Sequence, residues 1–192
     1  MNSILSSRKK HIRDTAQNLF RKKGYTATSM REIAKEVGIK AASLYNHFKK
    51  KEEILASICF DMALQFFDAL EEVKSKSTNS VEMLSGAIRA HVRVIISNLD
   101  ASAVFLHEWR SLDGENLLEF KAQRKLYESS FHQIIERGIQ EKVFKNVDPH
   151  FYSLILFSSM NWLYDLYRPD GKFTPKEIEE QFVNLLMNGL KQ

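Results

Sequence analysis

Side chains that can bind an anion are concentrated at the start of this 192-residue sequence. Thirteen of its 28 Lys and Arg lie in residues 1–51, together with three of its 24 Asp and Glu, so this segment has a formal net charge of +10. The fifteen basic and 21 acidic residues that remain give residues 52–192 a net charge of −6. A strongly basic segment joined to an acidic remainder is typical of a head that binds a polyanion. The alternative is a basic helix that lies on a membrane surface with its apolar stripe, at positions 12, 16, 19 and 20, in the lipid. A short helical segment needs this stripe for its own core, so the pattern favours nucleic acid.

The patterns of common catalytic and metal sites are missing from the sequence. It contains no glycine-rich phosphate loop, no G-x-S-x-G and no H-E-x-x-H. The six histidines are scattered without ligand spacing, and the single Cys59 excludes an intramolecular disulfide framework. We therefore predict that the protein is not an enzyme and has no catalytic residues, no cofactor and no metal.

Membrane and export signals are also missing. The longest uncharged apolar run, at residues 151–164, is shorter than the roughly 18 residues that a membrane span requires. The first residues lead directly into charged ones, unlike a signal peptide. We expect a cytoplasmic protein without a membrane partner.

Helix breakers are rare, since the chain has seven glycines and three prolines. This scarcity predicts an all-α fold, which we expect to comprise about nine helices. After the basic segment a long helix is predicted from roughly residue 51 to 73, and further helices at about 80–98, 102–112, 115–141, 148–167 and 175–190. We predict two domains, of residues 1–51 and 52–192.

Three short helices are predicted within the first domain. Gly24 has the position of a left-handed cap at the end of the first helix. Residues 29–32, Ser-Met-Arg-Glu, form a capping-box pattern that begins the second helix, and Gly38 ends it. A third helix follows from about residue 41 to 48. Two short helices joined by a tight glycine turn predict a helix-turn-helix at about residues 30–49.

The segment Gly38 to Phe48, Gly-Ile-Lys-Ala-Ala-Ser-Leu-Tyr-Asn-His-Phe, and the Lys-Glu-Glu-Ile-Leu that starts at Lys51 resemble the DNA-binding domain of TetR-family repressors. Upstream residues belong to the same pattern, which covers about residues 8–56: Leu19-Phe20, Gly24-Tyr25, Thr28 and Ile33-Ala34. The resemblance implies an N-terminal three-helix DNA-binding domain and a C-terminal helical domain for ligand binding and dimerisation. It also implies a homodimeric repressor that a small molecule releases from double-stranded operator DNA. A transcriptional activator and a ligand-independent regulator are the alternatives.

The resemblance further implies which residues contact DNA. Tyr45, His47 and Lys51 would donate to phosphate oxygens, whereas Asn46 could pair with adenine and Ala41 could contact a thymine methyl group. A core position for the Tyr45 ring and a solvated Asn46 are the alternatives. The implied DNA contacts are Thr28, Arg31, Lys40, Ala41, Ser43, Tyr45, Asn46, His47 and Lys51.

Lys40 departs from the family pattern, in which many relatives have Ser or Thr. Lysine is a poor N-cap residue for a helix. Either the third helix begins one residue away, or Lys40 contacts a phosphate instead of capping.

Two late helices carry apolar residues that must be covered on several sides. The predicted helix at 148–167 is apolar on more than one face, and the last helix has a continuous apolar stripe. In the TetR family these helices build the dimer, and packing them against their copies would cover both. The predicted dimer residues are Phe151, Ile155, Trp162, Ile178, Phe182, Leu185 and Leu186.

Polar groups within bulky apolar helices indicate a ligand cavity. The segment 105–110, Phe-Leu-His-Glu-Trp-Arg, is the clearest example, although His107 and Glu108 could instead satisfy each other or a helix end. With Asn161-Trp162 and the residues up to Gly171, the segment resembles TetR-type regulators that sense acyl-CoA thioesters, so we expect a fatty-acyl or related CoA ester as effector. The predicted ligand residues are Phe105, His107, Glu108, Trp109, Tyr127, Phe131, Asn161, Trp162 and Tyr164.

Overall fold

A computed structural model describes residues 2–191, with side chains from residue 7. The described residues form ten α-helices and one 3₁₀ turn and contain no β-strand, which confirms the all-α fold. The helices are α1 (Asn2–Lys23), α2 (Met30–Val37), α3 (Ala41–Tyr45), α4 (Lys51–Lys76), α5 (Ser80–Ser97), α6 (Leu99–His107), α7 (Gly114–Gln140), α8 (Pro149–Asn161), α9 (Leu163–Leu166) and α10 (Pro175–Leu190), and the 3₁₀ turn is Glu108–Ser111.

Local sequence signals set the ends of the first helices. Gly24 and Gly38 have φ angles of 84° and 74°, as the predicted left-handed caps require. The Ser29 hydroxyl accepts a hydrogen bond from the Glu32 N–H and so caps α2. The Glu32 carboxylate pairs with Lys23 at the end of α1. The Ser29 half of the predicted capping box is therefore present. The Glu32 carboxylate, which the pattern predicts to bind the Ser29 N–H, links α2 to α1.

Helices of the second half also begin at capping residues. Asn79 caps α5 by accepting from the Glu82 N–H, and Asp148 caps α8 by accepting from the Phe151 N–H. Thr174 and Glu177 form a complete capping box at the start of α10. Pro149 and Pro175 each follow a cap, where the missing N–H costs no helical hydrogen bond.

Three of the expected helices differ most from their expected bounds. The one expected at 148–167 ends at Asn161 and resumes after Trp162, so counting α8 and α9 as one element gives the expected nine helices. The helix α3 ends at Tyr45, before Phe48. The residues that follow form a turn with hydrogen bonds between residues three positions apart, such as the one from the His47 N–H to the Leu44 carbonyl at 2.9 Å. The helix expected at 102–112 lies at 99–107 and continues as the 3₁₀ turn.

The helices group into two compact units. We call the described residues up to Met62 together with Asp100–Lys121 the head, and Ala63–Leu99 together with the residues from Ala122 onward the body. The division into domains of 1–51 and 52–192 stays a prediction. The helix α4 runs through Met62 without interruption and so contributes to both units.

Each unit has its own apolar core. Ile12, Phe20, Ile33, Leu44 and Phe48 are fully buried in the head. In the body the core includes Phe66, Phe131, Leu156 and Met160. None of the described helices has the length and the hydropathy needed to cross a bilayer.

Candidate functional site

The short helix α3 separates a buried side from an exposed, polar one. Leu44 is fully buried, and Phe48 just beyond the helix is buried too, which fixes α3 on the head core. On the other side Tyr45 is 43% exposed and Asn46 is exposed, so the Tyr45 ring is not a core residue. The predicted contacts Ala41, Ser43 and His47 are half-exposed. The head therefore presents hydrogen-bonding side chains from a helix, an element that the DNA major groove is wide enough to admit.

Lys40 stands at the N-cap position of α3, with φ −67° and ψ 145°. The helix thus begins directly after Lys40 and is not shifted by a residue. Its exposed side chain caps none of the described N–H groups of α3. Of the two alternatives for Lys40, the phosphate contact therefore remains as a prediction.

Around the start of α2 the predicted contacts differ in exposure. Arg31 is exposed. Thr28 is only 1% exposed, and its hydroxyl donates to the Gly24 carbonyl oxygen at 2.9 Å. Its side chain therefore braces the connector between α1 and α2 and does not project from the surface.

Lys51, the first residue of α4, also contacts this connector. Its Nζ donates to the carbonyl oxygens of Tyr25 and Thr28, both at 2.7 Å, and lies 4.1 Å from the centroid of the Tyr25 ring. The phosphate contact implied for Lys51 stays a prediction. The structure adds internal partners that the sequence did not reveal.

Tyr25 links three parts of the head. Its N–H donates to Glu108 Oε1 at 3.1 Å, and its hydroxyl donates to Glu52 Oε1 at 2.9 Å. Burial, followed by the hydrogen bond to Glu52, raises the pKa of Tyr25. Glu108 was expected at a ligand, whereas the structure places it on the α1–α2 connector.

Four of the nine predicted ligand residues lie in the head. The Phe105 and Trp109 rings pack on Phe120 with centroids 5.2 and 5.7 Å away. Arg110 covers the Trp109 ring at 4.6 Å, and His107 is exposed. Together with Glu108 these residues occupy α6 and the 3₁₀ turn.

The other five lie in the body, where Tyr127 and Asn161 meet at His91. The Tyr127 hydroxyl lies 3.2 Å from His91 Nδ1, and Asn161 Oδ1 lies 3.1 Å from His91 Nε2. With Asn161 Oδ1 accepting, Nε2 carries the proton and Nδ1 accepts from Tyr127. Phe66 of α4 stacks on the His91 ring at 4.6 Å, and Phe131 meets it edge-on at 6.4 Å. We call His91, Tyr127 and Asn161 the polar cluster.

Burial determines the charge states in this polar cluster. His91 is buried, which lowers its pKa to about 4 and keeps the imidazole neutral at pH 7. Burial also raises the pKa of Tyr127, so the phenol keeps its proton. Sequence reasoning missed His91, although it lies on the buried stripe of α5 with Leu84, Ile88 and Ile95.

Asn161 also lines a groove between α7 and α8. This groove has a volume of about 330 Å³, with Leu154 and Phe157 as its apolar residues. Its lining also includes one carboxylate, Glu128, which pairs with Arg124 at 2.9 Å, and the nitrogen-bearing side chains of Arg124, Lys125, His132 and His150. The last two predicted ligand residues, Trp162 and Tyr164, stack with centroids 6.5 Å apart, and Trp162 is exposed.

All seven predicted dimer residues lie at the surface of the body. Phe151, Ile155, Trp162 and Leu185 are exposed, with Leu185 at 73%. Ile178, Phe182 and Leu186 are half-exposed. Large apolar side chains that stay exposed on neighbouring stretches of chain indicate a surface that another molecule covers.

Comparison with known proteins gives matches over both halves of the chain. The family model "Bacterial regulatory proteins, tetR family" matches residues 12–58, and "Tetracyclin repressor-like, C-terminal domain" matches residues 77–190. The HTH-type transcriptional repressor KstR2 of Mycolicibacterium smegmatis is 25% identical over 97% of this chain and 92% of its own.

Solved structures extend these matches to the whole fold. The TetR family transcriptional regulator PfmR from Thermus thermophilus is 32% identical, with a TM-score of 0.84 over 94% of this chain and 99% of its own. AibR, solved in complex with isovaleryl coenzyme A and operator DNA, is 27% identical, with a TM-score of 0.83 over 93% of this chain and 97% of its own.

Proposed function

The chain belongs to the TetR family of bacterial regulatory proteins, and on that premise we propose that it represses transcription as a homodimer until an acyl-CoA thioester releases it from its operator. The observation that carries the DNA-binding half is the exposed polar side of α3, which lies within the segment of residues 1–51 that has a net charge of +10. The relatives compared above include a protein named as a transcriptional repressor. The proposal places the protein among regulators rather than enzymes.

DNA recognition falls to α3 and the residues beside it. Asn46 reads an adenine edge, Ala41 contacts a thymine methyl group, and Ser43 is placed to reach a base. Lys40, Tyr45 and His47 take phosphate oxygens, which hold the helix in register but carry no sequence information. Arg31 adds a phosphate contact at the start of α2, where the helix N-terminus itself attracts an anion.

We propose that dimerisation uses the exposed apolar residues of α8 and α10, together with Trp162 directly after α8. Two copies that cover Phe151, Ile155, Trp162 and Leu185 form an isologous four-helix interface. Such a dimer places two α3 helices on one face of the duplex, roughly 34–36 Å apart. The operator is then an inverted repeat with half-sites one helical turn apart.

For the effector we propose an acyl-CoA thioester that binds in the body. AibR, which was solved with isovaleryl coenzyme A, is similar over nearly the whole chain. The groove of about 330 Å³ between α7 and α8 combines the apolar residues Leu154 and Phe157 with hydrogen-bonding groups such as Asn161, the usual composition of a small-molecule site.

Footprinting on the best duplex that the protein selects from a random-sequence pool tests the DNA-binding half. We expect protection of an inverted repeat with half-site centres about 10 base pairs apart and one dimer per site. Selection that returns no enriched sequence, or one monomer bound to one half-site, contradicts it. The Asn46→Ala variant, probed on the same duplex, shows whether α3 makes the contact.

A thermal-shift panel tests the effector. A ligand that binds only the folded state raises the melting temperature through a free-energy term of RT ln(1 + [L]/Kd). We expect acyl-CoA thioesters to raise it more than free coenzyme A or free carboxylic acids do at equal concentration. Equal shifts with all three classes contradict an acyl-CoA effector and leave the DNA-binding proposal untouched.

A further inference from the structure

We propose that Lys51 contributes to DNA binding as a positioning residue that holds the α1–α2 connector, residues 24–29, and not as a phosphate ligand. The inference rests on the DNA-binding half of the proposed function. It assigns to Lys51 a role that its position beside the recognition helix does not suggest.

The ammonium of Lys51 is directed at the main chain of the connector. Its Nζ lies 2.7 Å from the carbonyl oxygens of both Tyr25 and Thr28, and 3.5 Å from that of Thr26. The Tyr25 ring covers it at 4.1 Å. An ammonium has three N–H donors. Carbonyl oxygens of one short segment therefore engage the donors that a phosphate would need.

These contacts fix the residue that leads into α2. Thr28 makes three hydrogen bonds. Its carbonyl oxygen accepts from Lys51, its N–H donates to the Tyr25 carbonyl oxygen, and its hydroxyl donates to the Gly24 carbonyl oxygen. Ser29, the N-cap of α2, comes next. Because α2 braces α3 in a helix-turn-helix, the start of α2 must be fixed for α3 to be presented in one orientation.

The first turn of α4 holds Tyr25 at two separate points. Lys51 binds its carbonyl and covers its ring, and Glu52 accepts from its hydroxyl. The connector is thus attached to the end of a helix that runs without a break from Lys51 to Lys76.

The charge-conserving variant Lys51→Arg distinguishes positioning from phosphate contact. An arginine binds phosphate at least as well as lysine does, because its fork matches the oxyanion. However, the carbonyl oxygens of Tyr25 and Thr28 both surround one nitrogen atom, Nζ of Lys51. The N–H groups of an arginine are spread over a planar guanidinium and cannot reproduce this arrangement. Positioning therefore predicts that Lys51→Arg weakens binding to the selected duplex about tenfold, whereas a phosphate contact predicts affinity equal to or above that of the wild type.

Salt dependence of the size-conserving variant Lys51→Met provides the second readout. Losing one phosphate contact lowers the slope of log K against log salt by about 0.9. We expect Lys51→Met to lower the affinity at every salt concentration and to keep the wild-type slope. Lys40→Met is the matched reference, since Lys40 is exposed and proposed to contact phosphate.

Amide hydrogen exchange of the connector separates positioning from a general loss of stability. In Lys51→Met the N–H of Thr28 should exchange faster than in the wild type, while N–H groups in the middle of α4 keep their protection. A slope reduced by about 0.9, unchanged Thr28 exchange, or full affinity in Lys51→Arg each overturns the proposal. If Lys40→Met keeps the wild-type slope, the phosphate contact proposed for Lys40 fails and the inference about Lys51 stands.

Discussion

His91 on α5 and Asn161 on α8 are joined by a hydrogen bond of 3.1 Å between Nε2 and Oδ1, in the aromatic interior of the body. The bond connects a fully buried ring to a side chain that also lines the groove between α7 and α8. It explains how a histidine is kept in a core of phenylalanine rings, because both ring nitrogens have a partner there. The same burial gives the body a pH dependence.

We predict that the free energy of unfolding falls between pH 6.5 and pH 4. His91 has a folded-state pKa of about 4 against an ordinary value of 6.5, so within this interval the unfolded chain binds a proton that the folded chain does not. Its contribution is complete above pH 6.5 and is lost as the pH falls towards 4, by about 3 kcal/mol in total. Urea unfolding of wild type and His91→Gln at several pH values measures this. The variant should show a flatter pH profile, the exposed His11→Gln is the control, and equal profiles of His91→Gln and wild type count against the assignment.

A second prediction concerns two neighbouring ion pairs between α5 and α10. Arg93 binds both carboxylate oxygens of Glu179, at 3.0 and 2.7 Å, and Glu179 is only 6% exposed. Arg93→Ala leaves a buried carboxylate without this partner and should cost about 2 kcal/mol of unfolding free energy.

Arg89→Ala is the matched control, because Arg89 holds Glu180 in the same bidentate way at the surface. It should cost less than Arg93→Ala in the same urea titration, since an exposed carboxylate regains water. Equal losses of unfolding free energy in both variants would mean that the burial of Glu179 does not determine how much stability Arg93→Ala loses.

A third prediction tests the proposed dimer surface. Leu185→Glu places a charge on a residue that is 73% exposed in the single chain and central to the proposed interface. We expect this variant to sediment as a monomer and to lose affinity for the selected duplex, because two half-sites are then no longer bound together. Leu118→Glu, at a residue that is 69% exposed outside that surface, should remain dimeric. A dimeric Leu185→Glu variant places the interface elsewhere.

A fourth prediction separates reading of bases from contact with phosphate. Asn46→Ala should relax the preference for one base pair of the selected duplex, by about 1–3 kcal/mol of discrimination. Tyr45→Phe removes one hydroxyl donor and should weaken all sequences alike. Competition assays with single-base variants of the duplex measure both effects. A uniform loss with Asn46→Ala would assign this residue to the DNA backbone.

The sequence predicts those features of the head that depend on neighbouring residues. Gly24, Ser29 and Gly38 determine helix ends through their own backbone conformation or side chain, and the structure has them in those roles. The stripes of apolar residues place Leu44 and Phe48 in the core, which leaves Tyr45 exposed. Local rules suffice because each of these choices involves residues at most a few positions apart.

Contacts between residues far apart in the sequence were not predictable in this way. Glu108 lies 83 positions from Tyr25 and Asn161 lies 70 from His91, and no periodic pattern pairs them. Lys51 reaches carbonyl oxygens, which leave no trace in the residue types of the connector. The break at Trp162 is equally hidden, since apolar residues continue on both sides of it. Burial and partner geometry, which only the folded chain shows, determine these roles.

Release from DNA by a thioester tests the account most directly. The measurement is the fluorescence anisotropy of a labelled selected duplex bound to the wild-type dimer, titrated with isovaleryl coenzyme A, a long-chain acyl-CoA, free coenzyme A and free fatty acid. We predict that at least one thioester weakens DNA binding about tenfold or more while free coenzyme A and free acid do not, and that the duplex weakens thioester binding by the same factor. DNA affinity that stays constant in the presence of a thioester shown to bind the protein would contradict the account.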